Sequence, residues 1–126
     1  MKEIKNMNYP WIDDHFLAKK GVIKEYKEEW GCFRFMLCGK MVAMLGNDNN
    51  ENEILTVKCD PAFGELLREQ YADITPGYYM NKLHWNSVNV NGKSPDEILK
   101  QMIDNSYNLI FAALTKKRQA EVQSLK

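Results

Sequence analysis

Apolar residues recur at helical spacing in the middle of the chain, directly after residues that are typical of a helix start. Asp60 is suited to cap free backbone N–H groups, and Pro61 to occupy the first helical position, where its missing donor costs nothing. The apolar positions that follow fall on one face, and they are Phe63, Leu66, Leu67 and Tyr71. This spacing predicts an amphipathic helix after Asp60.

The longest apolar stripe lies in the C-terminal third of the chain. It follows Ser94-Pro95-Asp96-Glu97, in which the Ser-x-x-Glu spacing forms a capping box with proline at the first helical position. The stripe predicts the longest helix, and its members are Leu99, Met102, Ile103, Tyr107, Ile110, Ala113 and Leu114. No stripe continues further, so residues 115–126 are expected to fray.

The N-terminal half is predicted to contain a shorter helix and then strands. The helix covers residues 10–20 and ends at Gly21 in a left-handed cap, with its inward side chains being Trp11 or Ile12, Phe16 and Leu17. Segments rich in β-favouring residues follow at 32–38, 41–45 and 53–59, separated by turn residues. They predict a three-stranded meander, in which the polar stretch 47–53 is a solvated hairpin tip rather than a binding site.

Two further strands are predicted at 74–80 and 84–90. The element order is then α-β-β-β-α-β-β-α. Because each amphipathic helix must bury its stripe on a sheet face, this order indicates an α+β two-layer sandwich, with a five-stranded antiparallel sheet and helices on one face. At 126 residues, without an internal repeat or a linker, residues 1–126 are expected to form a single domain.

Composition narrows the class of protein. No apolar run approaches the roughly 18 residues of a membrane span, and residues 1–6 lack the features of a secretory signal. We therefore expect a cytoplasmic protein that makes no membrane contact. The cysteines are odd in number and form no CxxC pair, which indicates reduced thiols at Cys32, Cys38 and Cys59.

Candidate chemistry is sparse along the chain. His15 and His84 lie far apart in sequence and could join the thiols only through tertiary proximity, so neither a metal site nor a cofactor is predicted. Cysteine with histidine is the only available pairing of nucleophile and base, and nothing local marks it. Adjacent acids such as Asp13-Asp14 fit a solvated surface better than acid–base catalysis. We therefore expect that the protein is not an enzyme.

The most unusual stretch is 76–86, where aromatic side chains alternate with a cation, amides and an imidazole. Its candidate binding residues are Asn81, Lys82, His84, Trp85 and Asn86. If 84–90 is a strand, alternation places Asn86 on the face of Val88 and Trp85 on the other face. Trp85 is then either an exposed aromatic that stacks on a base or a partner, or a side chain that the C-terminal segment covers.

Cations near these elements offer contacts to phosphate. Lys82 is close to Trp85 in sequence, and Lys116-Lys117-Arg118 forms a compact basic patch at the end of the predicted long helix. The same patch could instead complement the negative end of that helix dipole. Lysine plus arginine equals aspartate plus glutamate, at 17 each, so attraction to nucleic acid must come from local clustering.

These segments resemble the MmcQ/YjbR family of small bacterial proteins, over about half of the chain. The Asn-Lys-x-His-Trp-Asn block at 81–86 is the most specific match. The other matching stretches are Lys58-Cys59-Asp60-Pro61, 66–71, Pro76-Gly77-Tyr78, Pro95-Asp96-Glu97, 102–107 and Leu114-Thr115-Lys116-Lys117.

The resemblance implies an α-β(3)-α-β(2)-α two-layer fold, compared with frataxin and type III secretion chaperones, and a DNA-binding role by likeness to a double-wing motif. It assigns the family block to Asn81, Lys82, His84, Trp85 and Asn86. Tyr79 stands where many relatives have histidine, which argues against a role that needs two imidazoles there.

Two hypotheses of function follow. The leading one is a DNA-binding module, in which bases meet Trp85, His84 and Asn86 and phosphates meet Lys82, Lys116, Lys117 and Arg118. The second is a protein-interaction module, similar to a chaperone, that uses the exposed sheet face or Trp85 as an apolar anchor. A deep pocket that holds His84 beside a thiol would instead indicate an enzyme or a small-ligand binder.

Overall fold

The computed structural model describes residues 8–48, 50–77 and 81–125. The α+β class is confirmed, with six antiparallel strands rather than five. In chain order the elements are α1 (Ile12–Leu17), β1 (Val22–Lys27), β2 (Cys32–Leu37), β3 (Lys40–Asn47), β4 (Glu53–Lys58), α2 (Pro61–Gln70), β5 (Ile74–Pro76), β6 (Trp85–Asn89), α3 (Asp96–Ala112) and α4 (Lys116–Gln123).

Strand β1 is the strand that the hydrophobic pattern did not predict. Its sequence, Val-Ile-Lys-Glu-Tyr-Lys, has charged residues where a half-buried strand usually has apolar ones. The strand lies at the sheet edge and pairs with β2 alone. Lys24 nevertheless faces the core side, with its Nζ 4.4 Å from the centre of the Phe33 ring and 2.6 Å from Asp13 Oδ2. An edge strand tolerates such residues because one flank is solvated.

The strand order is β1-β2-β3-β4-β6-β5, and each neighbouring pair is antiparallel. Strands β4 and β6 are therefore adjacent although α2 and β5 separate them in sequence. Their register places Trp85 opposite Lys58 and Asn86 opposite Val57. Between β2 and β3 the pairing skips Val42, a bulge that turns both Val42 and Ala43 toward the core.

All four helices contribute buried residues to one hydrophobic cluster on a single face of the sheet. Phe16 of α1 stacks on Phe35 of β2 with ring centroids 4.0 Å apart. Ser106 of α3 is fully buried; its Oγ donates to the Val42 carbonyl at 2.7 Å and accepts from the Lys58 N–H at 3.0 Å. This hydroxyl ties α3 to the bulge in β3 and to the end of β4.

The two predicted helix starts are confirmed, but not the predicted capping box. Helix α2 begins at Pro61 and α3 at Asp96. The N-cap of α3 is Pro95, with no side-chain cap bond, so the prediction of a Ser94 capping box was wrong. The Ser94 hydroxyl instead donates to Asp73 Oδ2 at 3.5 Å. The same oxygen accepts from the Lys93 N–H at 2.6 Å, so Asp73 holds the loop before α3.

The N-terminal helix is shorter than expected, six residues rather than the predicted span 10–20. Gly21 has φ +83°, which confirms a left-handed residue there, although three residues separate it from the end of α1. The polar hairpin tip is confirmed between Asn47 and Glu53. The Asp48 Oδ1 atom organises it by accepting from the Asn50 and Asn52 N–H groups at 2.8 and 2.9 Å.

The tail after Leu114 does not fray as expected. Thr115 caps helix α4 by accepting from the Arg118 N–H at 3.1 Å. Val122 is 3% exposed and belongs to the core cluster. It lies beside Gly21, where a Cβ would fall 3.5 Å from Val122 Cγ1. The prediction was wrong because α4 buries a single apolar residue, which makes no stripe, and because Gln119 also joins it to the end of α3 by donating to the Leu114 carbonyl at 3.1 Å.

Strand β5 begins at Ile74 as predicted but ends at Pro76. Residues 78–80 of the predicted strand, including Tyr79, lie outside the described residues. Over residues 8–48, 50–77 and 81–125, no helix is long and apolar enough to cross a membrane.

Candidate binding surface at the start of strand β6

The segment that leads into β6 is a turn held by its own polar groups. Asn81 Oδ1 accepts from the Leu83 N–H at 2.9 Å, and the Asn81 carbonyl accepts from the Trp85 N–H at 2.9 Å. Lys82 is exposed, and its Nζ donates to the Gly77 carbonyl at 3.0 Å. The Gly77 N–H in turn donates to the Trp85 carbonyl at 2.7 Å. Lys82 is thereby tethered to the backbone that pairs with Trp85.

Trp85 lies on the sheet face that the helices leave uncovered. Its neighbour Asn86 points into the helix side, so alternation directs Trp85 away from it. Trp85 is half-buried and stands directly opposite Lys58 of β4, a position in which Cβ atoms are about 5 Å apart. Within the described ranges Lys58 Nζ has no carboxylate oxygen within 4.0 Å. We call Lys58, Lys82 and Trp85 the β6 surface.

The strand pair behind this surface is closely packed. Thr56 and Ser87, the next residues on the same face, are buried and share a hydrogen bond of 2.7 Å between their hydroxyls. On the other side of β6, Gly77 lies so close to Trp85 that a Cβ on Gly77 would fall 2.8 Å from Trp85 Cβ. The backbone that carries Trp85 is therefore packed from both neighbouring strands.

Asn86 does not belong to this surface, and its assignment as a surface contact was wrong. It is fully buried beneath α2, where its Oδ1 accepts from Arg68 Nη1 at 2.5 Å. Gly64 makes room for it, since a Cβ on Gly64 would fall 2.5 Å from Asn86 Nδ2. The physical reason is alternation, which places Asn86 on the face of Val88.

His84 and Cys59 meet only through their backbones at this end of the sheet. The Cys59 N–H donates to the His84 carbonyl at 2.7 Å, while the Cys59 side chain is fully buried. Burial raises the pKa of the Cys59 thiol to about 11, although the amide of Asn86 and the charge of Arg68 oppose the shift. The thiol stays protonated at neutral pH, which is unlike the activated cysteines of nucleophilic enzymes.

No group of three metal-ligating side chains lies together in the part of the chain that the structure describes. The three cysteines are free, with Cys32 and Cys59 buried and Cys38 exposed.

The basic patch at 116–118 is not part of the β6 surface. Lys116, Lys117 and Arg118 are exposed in the first turn of α4, which docks beside Gly21 at the start of β1. Three strands separate β1 from β6, and strand spacing makes that roughly 19 Å. The patch follows the end of α3 at Ala112, so these cations lie in the first turn of α4 and not in the last turn of the long helix.

Two residues of this region were missed from the sequence as binding candidates. Lys58 closes a predicted strand, but its proximity to Trp85 depends on the pairing of β4 with β6. Arg68 lies on the polar side of a predicted helix, where cations are usually solvated. Both positions lie in stretches that resemble the family, but neither carries a local signal of binding, because their contacts join elements that are distant in sequence.

Fold and surface together define a small two-layer α+β domain with helices on one sheet face and a tryptophan flanked by cations on the other. The YjbR family model matches residues 17–109. The chain is 30% identical to Escherichia coli K12 protein YjbR over 91 residues, which is 72% of this chain and 76% of that protein. It is 34% identical to YbdF of Escherichia coli O157:H7 over 89 residues, 71% and 72% of the two chains. The chain belongs to the YjbR family.

Solved structures agree with this assignment. Deinococcus radiodurans protein DR2400, with a domain named DUF419, superposes with a TM-score of 0.81 at 25% identity, covering 94% of this chain and 91% of that one. A Pseudomonas syringae protein superposes with a TM-score of 0.71 at 24% identity, over 82% of this chain and 98% of its own. The latter likeness concerns the fold alone. The resemblance inferred from the residues is thus confirmed.

Proposed function

We propose that this protein is a non-catalytic DNA-binding module of the cytoplasm, and that DNA contacts the β6 surface. The observation that carries the proposal is the cross-strand pair of Trp85 and Lys58, in which a tryptophan stands opposite a lysine that has no carboxylate oxygen within 4.0 Å of its Nζ among the described residues. A ring and a cation side by side suit a nucleotide, whose base stacks while its phosphate attracts the ammonium group.

The chemistry favours single-stranded over duplex DNA. Stacking on Trp85 needs a base whose face is accessible, and such faces are occupied inside a duplex. Lys82 adds a second cation that is tethered beside the tryptophan strand. His84 is half-buried next to Trp85 and supplies a further polar group at the rim. The net charge of zero confines the attraction to this local cluster.

The test is a fluorescence-anisotropy titration of labelled single-stranded and duplex oligonucleotides at low and high salt. Lys58→Gln and Lys82→Gln remove one charge each and keep much of the side-chain stem, while Trp85→Leu removes the π face and keeps apolar bulk. Each change is expected to weaken single-stranded binding, by about 1–3 kcal/mol for the tryptophan.

The matched control is Lys93→Gln. Lys93 is exposed in the loop before α3, at the opposite end of the sheet from Trp85, and it donates to Asp73 through its backbone N–H and not its side chain. Binding by this variant should equal that of the wild type. Affinity that is insensitive to salt, or that falls equally in Lys93→Gln, would count against the proposal.

A second candidate is a protein-interaction module that uses the exposed apolar side chains around β1. Ile23, Tyr26 and Trp30 are 59%, 55% and 55% exposed. Aromatic and aliphatic side chains of this kind form the anchors of protein interfaces. A discrete partner that co-purifies from nuclease-treated lysate with the wild type, but not with Ile23→Lys, would favour this candidate over DNA binding.

A further inference from the structure

The three arginines of the chain have different partners. Arg34 pairs with the Glu25 carboxylate and lies 5.4 Å from the centre of the Trp30 ring. Arg118 Nε lies 4.0 Å from a Glu121 carboxylate oxygen. Arg68 has no carboxylate oxygen within 4.0 Å among the described residues, and its hydrogen-bond partner is the neutral amide of Asn86. Arg68 is therefore held by a group that leaves its charge uncancelled.

The packing around Arg68 keeps that arrangement in place. Asn86 is 0% exposed, and its Nδ2 atom makes no hydrogen bond of ordinary geometry. It is confined under Gly64, one helical turn before Arg68 on the same side of α2. Arg68 itself is half-buried, so one edge of its guanidinium contacts protein while solvent reaches the side chain. Only Nη1 has a hydrogen-bond partner among the described atoms.

We propose that Arg68, positioned by Asn86, forms an oxyanion-binding site at the junction of α2 and β6, and that its ligand is a phosphate group. A guanidinium presents its donors in a planar fork that matches two oxygens of a phosphate. A buried carboxylate in place of Asn86 would hold the fork equally well but would neutralise it. The neutral amide fixes the orientation of the fork and keeps its attraction for an anion.

This site is separate from the β6 surface. Asn86 and Trp85 are adjacent in β6 and point to opposite faces of the sheet. The phosphate has two possible sources, a small phosphorylated compound or the backbone of a nucleic acid. Both present negatively charged phosphate oxygens that a guanidinium can contact, so the experiment must first establish phosphate binding and then separate the two sources.

The test is an NMR titration that observes the Arg68 Nε–H signal in the full chain as sodium phosphate is added, with sodium chloride at equal ionic strength as reference. A saturable shift that phosphate causes and chloride does not is the expected result. Arg68→Lys keeps the charge but removes the fork, and it should weaken phosphate affinity about tenfold, judged from backbone amide signals. The control Arg118→Lys should leave the affinity unchanged.

Asn86→Asp gives a second, independent readout. The introduced carboxylate neutralises Arg68, so phosphate binding should be lost while circular dichroism shows that the fold is retained. If that variant does not fold, Arg68→Lys decides the question. An Arg68 signal that does not respond to phosphate, or equal phosphate affinities in the wild type and Arg68→Lys, would overturn the proposal.

An oligonucleotide titration of Arg68→Lys separates the sources. Parallel loss of phosphate and oligonucleotide binding supports a nucleic-acid backbone, whereas loss of phosphate binding alone supports a small phosphorylated compound. Lys58→Gln and Trp85→Leu are expected to retain phosphate binding at Arg68. Failure of DNA binding at the β6 surface would therefore leave the phosphate result intact, and the two proposals can fail separately.

Discussion

Ser106 is a buried hydroxyl on which three elements depend. Its Oγ donates to the bulge carbonyl of Val42 and accepts from the Lys58 N–H, so it satisfies two backbone groups from two strands. Ser106→Ala removes both bonds and leaves those groups unsatisfied. Because an unsatisfied buried polar group costs about 1–3 kcal/mol, we expect the free energy of unfolding to fall by roughly that amount. Urea denaturation followed by circular dichroism measures it.

The comparison for Ser106 is Asn108→Ala, an exposed position on the same helix. This change should alter the free energy of unfolding by less than about 0.5 kcal/mol. Equal effects of the two substitutions would show that the Ser106 hydroxyl is not a structural link.

Asp104 joins α3 to the N-terminal helix region through the side chains of Lys19 and His15. Its Oδ1 lies 2.6 Å from Lys19 Nζ and 2.8 Å from His15 Nε2. Partial burial by itself raises the pKa of Asp104, but the hydrogen bonds and charges of Lys19 and His15 outweigh it, so the pKa is lowered. The ionised carboxylate therefore stabilises the folded state. That stabilisation is full above the ordinary pKa of about 4 and is lost as the pH falls through the lower pKa of the folded state.

Asp104→Asn should consequently be less stable than the wild type at neutral pH, with a difference that shrinks as the solution becomes more acidic than the ordinary pKa. Urea midpoints of both proteins across this range measure the effect. Glu69→Gln, at an exposed position of α2, should show no such convergence. A stability difference for Asp104→Asn that does not change with pH would contradict the assigned role.

Helix α2 contains Gly64, although glycine has a low intrinsic helix propensity, because a larger side chain there would meet Asn86. Alanine at position 64 should favour the isolated helix by about 1 kcal/mol. In the folded protein its Cβ would fall 2.5 Å from Asn86 Nδ2 and 3.2 Å from Asn86 Cγ. Overpacking typically costs about 1–3 kcal/mol, so we expect Gly64→Ala to lower the melting temperature despite the helix preference.

The neighbouring change Glu65→Ala is the control for α2, since Glu65 is exposed. It should leave the melting temperature nearly unchanged. A Gly64→Ala variant that is more stable than the wild type would mean that α2 can shift away from β6 without cost.

Helix α4 is attached through few contacts, and Val122 is the buried one. Val122→Ala should reduce the free energy of unfolding by about 1–3 kcal/mol, because it opens space between α4 and the start of β1. Exchange of the α4 amide hydrogens should accelerate in this variant. Glu121→Ala, exposed on the same helix, should change neither quantity. Unchanged exchange in Val122→Ala would indicate that the Lys20 bond to the Gln123 carbonyl suffices to hold α4.

At the scale of the whole molecule, zero net charge means that the proposed attraction to nucleic acid must come from local clusters of charge. Under the proposed function, the slope of log affinity against log salt should fall by about one for each lysine removed at Lys58 or Lys82. Removal of the exposed Lys93 should leave that slope unchanged. Anisotropy titrations at several salt concentrations measure it. A slope that responds equally to all three lysines would point to diffuse attraction rather than a site.

The architecture was largely predictable because most helices and strands have a recognisable pattern in their own local sequence. The apolar stripes after Asp60 and Pro95 have the helical period, and the polar stretch 47–53 must turn in solvent. Strand β1 and helix α4 were missed for a common reason. Each is stabilised by packing against the rest of the molecule, and their own patterns of charged residues are typical of solvated segments.

The candidate sites were less predictable than the fold. The block 81–86 was identified, and alternation correctly separated Trp85 from Asn86, although Asn86 was still counted among the surface contacts. The sequence hypothesis combines Lys116 to Arg118 with the tryptophan, whereas the fold docks α4 beside Gly21 at the start of edge strand β1. Lys58 and Arg68 became candidates only when strand pairing and helix docking were known.

By itself, the sequence determined the α+β class, the two main helices, the hairpin tip and the family, because periodicity, turn chemistry and motif spacing are local properties of a chain. Tertiary structure alone decided which strands are neighbours and which of the described cations have no carboxylate oxygen nearby. It also decided that Asn86 bonds to Arg68 in the interior and does not face a ligand. The physical reason is that burial, charge compensation and cross-strand contact depend on residues far apart in sequence. Nothing in the neighbourhood of Lys58 or Arg68 along the chain specifies the partners that the fold brings to them.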